Sequence, residues 1–322
     1  MAYYLGFDAG GTKTECALAQ DETVLACATG GTIKVMRASY EQAQAHLDEL
    51  LQAIVAQTGI DLHAVSRTCV GLAGISVPRV ADFVRQALHA RVGGEVLLAG
   101  DEEIALDAAF RGGAGVLVIA GTGSNLIARS RAGQLIHIGG WGPVVADEGS
   151  GNWIGKQAVR AIFDALDRDE TTLLQDAIMR EWHLPDIGSL IDCANQSPGP
   201  DFSKLTAIVV ECAQQGDLHA KRILYQAGED LGMYAALALR RVRALEPQDA
   251  RASAASNRLP EIAFIGSILR HIAQVRDAMC AAVRREFPHV SVRMEAVNAV
   301  EGALWRAREA FLLANNSPST RR

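Results

Sequence analysis

The sequence predicts an α/β protein made of two duplicated domains, each with the element order βββαβαβα. Three observations support this fold class. The chain has 322 residues, enough for two domains that each bury a core. It contains two groups of three short alternating runs punctuated by glycine turns, which are typical of antiparallel hairpins. After each group, segments with helical spacing alternate with short apolar runs, which favours parallel strands joined by helices.

The first hairpin group lies at the start of the chain. Its alternating runs predict strands over residues 3–8, 14–19 and 24–28, with Gly10-Gly11-Thr12 in the first turn. Helical spacing then predicts helices over 40–57 and 78–90. Short apolar runs at 68–72 and 95–99 are typical of buried parallel strands. This group of elements forms a predicted first domain over residues 1–110.

The second group repeats the first. Strands are predicted over 115–120, 125–129 and 135–138, with Gly121-Thr122-Gly123 at the place of Gly10-Gly11-Thr12. Helices are predicted over 152–165, 203–214, 217–244 and 269–287, and a buried strand over 262–265. These elements define a second domain over 111–322, whose last helix, at about 300–313, could pack back on the first domain. Residues 246–260 and 315–322 are expected to form an exposed loop and a tail.

Composition excludes several classes of protein. A net charge of −6 argues against a broad basic face that binds nucleic acid. No apolar run approaches the roughly 20 residues of a membrane span, and no export signal is visible, so we expect a cytoplasmic protein without a membrane segment. The six cysteines form no C-x-x-C pair and the eight histidines are scattered. We therefore expect neither a disulfide framework nor a structural zinc ion.

Glycine-rich turns follow the first strand of each domain. Such turns present backbone N–H groups to a phosphate without obstruction by side chains. Neither turn has the G-x-x-x-x-G-K-[ST] or G-x-G-x-x-G pattern of the common nucleotide-binding loops. Either turn alone is also compatible with a plain hairpin. Their equivalent places in a duplicated unit favour two phosphate-binding loops.

These motifs resemble those of the actin-like and sugar-kinase superfamily of ATPases. Residues 8–14 match its first phosphate loop, 120–125 its second, and Phe264-Ile265-Gly266-Ser267 its adenosine motif. The segments Gly139-Gly140-Trp141-Gly142 and Asp147-Glu148-Gly149-Ser150 look most like the eukaryotic-type N-acetylglucosamine kinases and the BadF/BadG/BcrA/BcrD ATPase group around them. The resemblance implies two ribonuclease H-like domains with the active site in the cleft between them.

The resemblance also implies a reaction and its cofactors. An amino-sugar kinase would use ATP and Mg²⁺ to phosphorylate the 6-hydroxyl of N-acetylglucosamine, a small-molecule substrate. Asp8 would hold the Mg²⁺ through water. The implied ATP-binding residues are Gly10, Gly11, Thr12, Lys13, Gly121, Thr122, Gly123, Gly266 and Ser267. A solvated lysine at position 13 and an ordinary strand-to-helix turn at Gly266-Ser267 are the alternatives.

Asp101 is the candidate general base by the same resemblance. It follows a buried strand and precedes a helix, so backbone N–H groups could hold its carboxylate. The alternative from the residues alone is a helix N-cap, with Glu102 and Glu103 completing an acidic first turn. Family members usually carry Asn or Thr before the base, whereas Gly100 stands here.

A sugar needs polar groups for its hydroxyls and an apolar surface for its ring. By resemblance, the sugar wall consists of Ser76, Asp101, Thr122, Asn125, Gly140, Trp141, Asp147 and Glu148. An isolated tryptophan is also compatible with a core position. The loop Gly30-Gly31-Thr32-Ile33-Lys34 lacks the asparagine common in the family, which leaves the amino-sugar specificity open. Glucosamine is the second candidate substrate.

Two other classes of function remain as alternatives. BadF-type relatives include ATP-driven activators of dehydratases that carry an iron–sulfur cluster between subunits. Such a cluster needs cysteines that project together, and Cys193 and Cys212 are not placed in that way, so we expect no iron–sulfur cluster. A sugar-responsive binding module without turnover is the third class. Helix 217–244 could pair two subunits into a homodimer, although a face buried within one domain explains its apolar pattern equally well.

Overall fold

The computed structural model describes residues 1–246 and 259–316. The chain forms two compact units, one of Met1–Gly113 with the chain from Val297 onward, and one of Ala114–Ala296. The first unit therefore ends three residues later than expected, and it also contains the last helix. The loop expected over 246–260 and the tail over 315–322 lie largely outside the described residues.

The first unit is built on a five-stranded sheet. Its strands are β1 Tyr3–Ala9, β2 Lys13–Gln20, β3 Thr23–Gly31, β4 Val65–Leu72 and β5 Glu95–Ala99. Their order is β3-β2-β1-β4-β5, with antiparallel pairs from β1 to β3 and parallel pairs among β1, β4 and β5. The carboxyl ends of three parallel strands consequently meet at one edge of the sheet.

Helices cover the sheet of the first unit. They span Tyr40–Thr58, Pro78–His89, Asp101–Phe110 and Ala299–Asn316, the last of which we call the closing helix. A capping box of Ser39 and Gln42 starts the first of them, and Gly59, with φ of 68°, ends it. The closing helix packs against the helix Asp101–Phe110 and against β1 and β4. The helix that begins with Asp101 thus contacts both the closing helix and β4.

The second unit repeats the hairpin arrangement. Its strands are β6 Gly115–Ala120, β7 Ser124–Arg129, β8 Leu135–Gly139 and β9 Ile262–Ile265, in the order β8-β7-β6-β9. At the place of the expected fifth strand, the described residues form a single parallel bridge between Ile262 and Val292. Only Val290 and Val292 of that segment are buried apolar residues, which is too short a run to extend the ladder.

The helices of the second unit pack around a separate core. They span Gly151–Asp167, Leu173–Glu181, Ile187–Ala194, Thr206–Gln214, Leu218–Leu245, Ser267–His271 and Ala273–Glu286. The helix expected over 269–287 breaks at Ile272, where Arg276 Nη1 donates a hydrogen bond of 3.0 Å to the Leu269 carbonyl. Within residues 1–246 and 259–316, no helix is long and apolar enough to cross a membrane.

Candidate active site

Two carboxylates lie at the carboxyl edge of the first unit's sheet. Asp8, near the end of β1, pairs with Gly71 of β4, and Gly71 pairs in turn with Ala99 of β5. Asp101 follows Ala99 by two residues and begins the helix Asp101–Phe110. Because parallel strands end at a common edge, the topology places the predicted magnesium ligand and the predicted base in one polar site.

Asp101 is the first helical residue rather than the N-cap. Gly100 occupies the cap position with φ of −65° and ψ of 145° and provides no capping side chain. Asp101 Oδ1 accepts a hydrogen bond of 3.1 Å from the Glu102 backbone N–H. A carboxylate in the first turn is also stabilised by the helix dipole. The carboxylate retains lone pairs that can accept a proton from a substrate hydroxyl.

Burial raises the pKa of both carboxyl groups. The pKa of Asp8 rises to about 6, first because of burial and then because of the charges of Asp101 and Glu15, while Lys13 opposes the shift. Burial also raises the pKa of Asp101, against the hydrogen bond from the Glu102 N–H and the charge of Lys34. Neighbouring carboxylates with raised pKa values are common in catalytic sites.

The first glycine loop joins β1 to β2, and a hydrogen bond from Thr32 fixes its backbone. The Thr32 hydroxyl donates a hydrogen bond of 2.8 Å to the Gly10 carbonyl. Among the described residues, a Cβ placed on Gly11 would meet no atom within 4 Å beyond its chain neighbours, and Gly11 does not have a positive φ. Neither backbone conformation nor neighbouring protein atoms therefore requires glycine at this position. A ligand that approaches the backbone closely, as a phosphate does, would require it.

The other predicted residues of the first unit are solvent-accessible. Lys13 forms an ion pair with Glu15, and its side chain is 64% exposed. Thr12 lies exposed in the hairpin turn. Ser76 is exposed in the loop between β4 and the helix Pro78–His89. All three are open to a ligand, although Lys13 already has an anionic partner.

The second glycine loop is anchored to a helix N-terminus. The Gly151 N–H donates to the Gly121 carbonyl at 2.8 Å, and the Asn152 N–H donates to the Thr122 carbonyl at 3.1 Å. A Cβ on Gly121 would likewise meet no atom of the described part of the chain within 4 Å beyond its chain neighbours, and the φ of Gly121 is not positive. In both loops, the space beside the glycine is left open by the described residues of the protein.

A cavity of about 460 Å³ opens beside the second loop. Gly121, Thr122 and Ser267 line it, so three of the predicted ATP-binding residues come together there. The remaining wall combines apolar and polar side chains, contributed by Ser203, Lys204, Thr206, Ala207, Val210, Ile268, His271 and Ile272. This size and mixture of surfaces suit the base and ribose of a nucleotide.

Gly266 is required by the protein's own packing. Its φ is 108°, and a Cβ there would lie 2.1 Å from the carbonyl oxygen of Ala120. Glycine therefore lets the end of β9 approach the end of β6, which brings Ser267 to the cavity. Gly266 therefore acts through backbone packing against Ala120, whereas Ser267 lines the cavity.

Asp147 anchors the second loop within the protein. It is 6% exposed, its Oδ1 accepts a hydrogen bond of 2.8 Å from the Ser124 N–H, and its Oδ2 accepts one of 2.7 Å from the Ser150 hydroxyl. Ser150 is in turn the N-cap of the helix Gly151–Asp167. Both oxygens of Asp147 are thus engaged in fixing the loop to the helix.

The remaining residues of the predicted sugar wall differ in exposure. Trp141 is 72% exposed, which excludes the core position that its residue type also allowed. Gly140, with φ of 74°, lies against Asn125, since a Cβ on Gly140 would be 3.1 Å from Asn125 Cβ. Glu148 is partly buried and accepts a hydrogen bond of 3.1 Å from the Tyr234 hydroxyl. Trp141 is therefore the apolar surface that a sugar ring could contact.

The donor set at the carboxyl edge fits Mg²⁺. In the described part of the chain, no group of three or more His, Cys, Asp and Glu side chains could enclose a metal ion, and all six cysteines are free thiols. Mg²⁺ keeps several of its waters and binds through one or two carboxylates. Asp8, partly buried at a strand end beside the first glycine loop, can supply one such ligand.

Two features of the site were not predicted. The helix Thr206–Gln214 lines the cavity through Ala207 and Val210, and its sequence carries no motif that would have revealed this. Lys34 acts electrostatically on Asp101. Lys34 belongs to the loop that lacks the asparagine common in the family. This missing asparagine was the sequence signal that could have pointed to Lys34.

Curated relatives of this chain are sugar kinases. The N-acetylmuramic acid/N-acetylglucosamine kinase of Clostridium acetobutylicum is 31% identical over 239 residues, which covers 72% of this chain and 77% of that protein. The N-acetyl-D-glucosamine kinase of Dictyostelium discoideum is 26% identical over 243 residues, which covers 71% of this chain and 76% of that protein.

Solved structures and a family model agree with these relatives. A candidate N-acetylglucosamine kinase from Chromobacterium violaceum has a TM-score of 0.69 at 26% identity and covers 94% of this chain and 98% of its own. A ROK family glucokinase from Streptomyces griseus has a TM-score of 0.58 at 15% identity, covers 96% and 100%, and shows the fold alone. These structures confirm the predicted actin-like α/β fold. The model of the BadF/BadG/BcrA/BcrD ATPase family matches residues 5–307, and the chain belongs to this family.

Proposed function

We propose that this chain is an ATP-dependent sugar kinase that transfers the γ-phosphate to the 6-hydroxyl of N-acetylglucosamine. The observation that carries the proposal is the pair of Asp8 and Asp101 at one sheet edge, beside a loop whose Gly11 no protein contact explains. The kinases among the relatives support a sugar as the acceptor. Phosphoryl transfer needs a positioned hydroxyl, a base and neutralised phosphate charge.

Asp101 acts as the general base. As the bond from the sugar O6 to the γ-phosphorus forms, the O6 proton moves to the Asp101 carboxylate and the bond between the γ-phosphorus and the bridging oxygen breaks, so that ADP leaves. A carboxylate whose pKa is raised by burial is a better proton acceptor than an exposed one. The Glu102 N–H holds one oxygen in place during this transfer.

The two glycine loops are phosphate loops that bind through backbone N–H groups. Gly10, Gly11 and Thr12 form the loop of the first unit, and Gly121, Thr122 and Gly123 form that of the second. Bound Mg²⁺ would supply positive charge that offsets the phosphate oxygens. Asp8 would hold it through water, and Lys13 would add a cation once it exchanges Glu15 for phosphate. The cavity beside Ser267 takes the adenosine.

The sugar lies against Trp141, whose exposed ring matches the weakly apolar face of a pyranose. Polar groups for its hydroxyls come from Ser76, Thr122, Asn125, Gly140 and Glu148. Asp147 contributes by fixing the second loop, because both of its oxygens accept hydrogen bonds from the protein.

A coupled ADP-release assay tests the proposal. The panel contains N-acetylglucosamine, glucosamine, N-acetylmannosamine, N-acetylmuramic acid and glucose, each with and without Mg²⁺. We expect Mg²⁺-dependent ADP release with N-acetylglucosamine, and greater release with glucosamine would move the assignment to that sugar. If no sugar raises ADP release above background, the chain is not a sugar kinase for these acceptors, and a binding module becomes the better description.

Anaerobic purification separates the kinase from an activator of the dehydratase type. An iron–sulfur cluster held by cysteines would make the protein brown. We expect a colourless protein. A brown protein whose colour is lost in Cys193→Ser would contradict the kinase assignment.

A further inference from the structure

Lys34 reaches the carboxyl edge of the first unit's sheet from the loop after β3. Its Nζ lies 3.2 Å from the position that a Cβ on Gly74 would occupy, and Gly74 has φ of 83°. Gly74 belongs to the loop after β4, which also contains Ser76. The charge of Lys34 acts on Asp101. The ammonium group therefore lies close to the proposed base and to one wall of the proposed sugar site.

The Lys34 ammonium has no anionic partner in the described structure. Across residues 1–246 and 259–316, no carboxylate lies within 4.0 Å of its Nζ, whereas Lys13 of the first loop is paired with Glu15. The residue is only partly exposed. A partly buried cation loses hydration and is stabilised by an anion that replaces it.

The backbone of Lys34 is held in place. Its N–H donates a hydrogen bond of 3.1 Å to the Thr32 hydroxyl, which itself donates to the Gly10 carbonyl. Its carbonyl accepts a hydrogen bond of 2.8 Å from the Arg37 N–H. The side chain thus extends from a fixed point that is tied to the first phosphate loop, which lowers the entropic cost of binding an anion.

We propose that Lys34 binds a carboxylate carried by the sugar and so determines whether an acidic amino sugar is accepted. The inference rests on the proposed function, because that function places the sugar at Asp101. An acidic substituent there would be repelled by Asp8 and Asp101 unless a cation offset them. A nucleotide phosphate is the other possible source of an anion, but Lys13 is the lysine that acts on Asp8 beside the phosphate loop.

The test compares three acceptors that differ in charge and bulk. N-acetylmuramic acid carries a lactyl carboxylate, its methyl ester has the same bulk without the charge, and N-acetylglucosamine lacks the substituent. kcat/KM is measured for each acceptor, and KM for ATP alongside, with wild type, Lys34→Met, Lys34→Arg and Lys13→Met. The assay is repeated over a range of pH, so that a change in the pKa of Asp101 is separated from a change in acceptor preference.

We expect Lys34→Met to lower kcat/KM for N-acetylmuramic acid by about 30-fold, and to lower it for the ester and for N-acetylglucosamine by less than about threefold. Lys34→Arg should keep most of the activity with the acid, which shows that the site still folds. Lys13→Met should affect all three acceptors alike, through ATP.

Three results would overturn the inference and leave the kinase assignment standing. These are an equal loss with all three acceptors in Lys34→Met, a rise in KM for ATP that accounts for the loss, or a wild-type enzyme that phosphorylates N-acetylglucosamine but not N-acetylmuramic acid. If the wild-type protein phosphorylates neither sugar, the proposed function itself fails.

Discussion

Asp8 and Asp101 lie at the same edge of one sheet, and burial together with the charge of Asp101 raises the pKa of Asp8 to about 6. Lys13 opposes this shift at Asp8, and Lys34 opposes the rise at Asp101. A lysine thus acts on each carboxylate of the pair without offsetting the effect of burial. The arrangement suits a site in which one carboxylate binds a hydrated cation and the other accepts a proton.

Replacement of Asp101 should change the titration of Asp8. In Asp101→Asn, the pKa of Asp8 should fall from about 6 toward its usual range, without reaching it because burial persists. Carboxyl ¹³C NMR titration without Mg²⁺ measures the change. Glu22→Gln, at a residue whose side chain is 81% exposed, is the control and should leave the pKa of Asp8 unchanged. An unchanged Asp8 in Asp101→Asn would show that the two carboxylates are not coupled.

Asp101→Asn should also abolish turnover while ATP still binds. Loss of a general base lowers the rate by about 10²- to 10⁴-fold. The expected result is a fall in kcat of that size with the dissociation constant of ATP unchanged, measured by ADP release and calorimetry. A near-normal kcat would mean that another residue is the base.

Gly121→Val should impair ATP use more than folding. Because a Cβ at Gly121 meets no atom within 4 Å in residues 1–246 and 259–316 beyond its chain neighbours, the free energy of unfolding should change by less than about 1 kcal/mol. KM for ATP should rise about tenfold or more, because the side chain would occupy the space offered to phosphate. Gly155→Ala is the matched comparison, since its Cβ would lie 1.9 Å from the Phe202 carbonyl and should cost about 3 kcal/mol of stability. If Gly121→Val instead unfolds the protein at normal KM, the loop is structural.

Asp147→Ala should lower stability. It would leave the Ser124 N–H and the Ser150 hydroxyl without their acceptors, at a cost of about 2 to 4 kcal/mol in the free energy of unfolding. Denaturant unfolding measures this loss. A variant of wild-type stability with a raised KM for the sugar would show that Asp147 is a direct sugar ligand instead.

Asp217 should make part of the stability depend on pH. It caps the helix Leu218–Leu245 and accepts hydrogen bonds from the Ala220 N–H, the Leu173 N–H and the Thr172 hydroxyl. Burial raises the pKa of Asp217, but these hydrogen bonds outweigh it and the pKa is lowered overall. A lowered pKa in the folded state stabilises above the unfolded value, near 4, and this stabilisation is lost as pH falls through the folded value. The difference in unfolding free energy between wild type and Asp217→Asn, about 1 to 2 kcal/mol at pH 7, should shrink below pH 4. If the difference in unfolding free energy stays constant as pH falls, the charge of Asp217 is not the cause of the stabilisation.

Alternating runs and glycine turns were sufficient to predict most strands. Residues 115–120, 95–99 and 262–265 form strands as expected, and the start of a helix at Asp101 follows from the strand before it. The location of Asp8 and Asp101 at one edge of the sheet follows from the parallel order of β1, β4 and β5. These features could be predicted because the apolar residues of strands and helices recur at regular intervals along the sequence.

Side-chain hydrogen bonds and tertiary contacts decided what the sequence left open. The short helices Leu173–Glu181 and Ile187–Ala194 have few apolar repeats and depend on caps at Thr172 and Asp186. The break at Ile272 depends on Arg276, which lies beyond it in the chain. The proximity of Lys34 to Gly74 joins two loops that are distant in sequence, and no periodic pattern encodes such a contact.

The position of the phosphate on the product tests the central claim most directly. The protein is incubated with MgATP and N-acetylglucosamine, and ³¹P–¹H correlation NMR of the sugar product identifies the carbon that carries the phosphate. The proposed reaction gives a phosphomonoester whose phosphorus couples to the two C6 protons, formed by the wild type and not by Asp101→Asn. No sugar phosphate, or a phosphate on another carbon, would contradict transfer to the 6-hydroxyl.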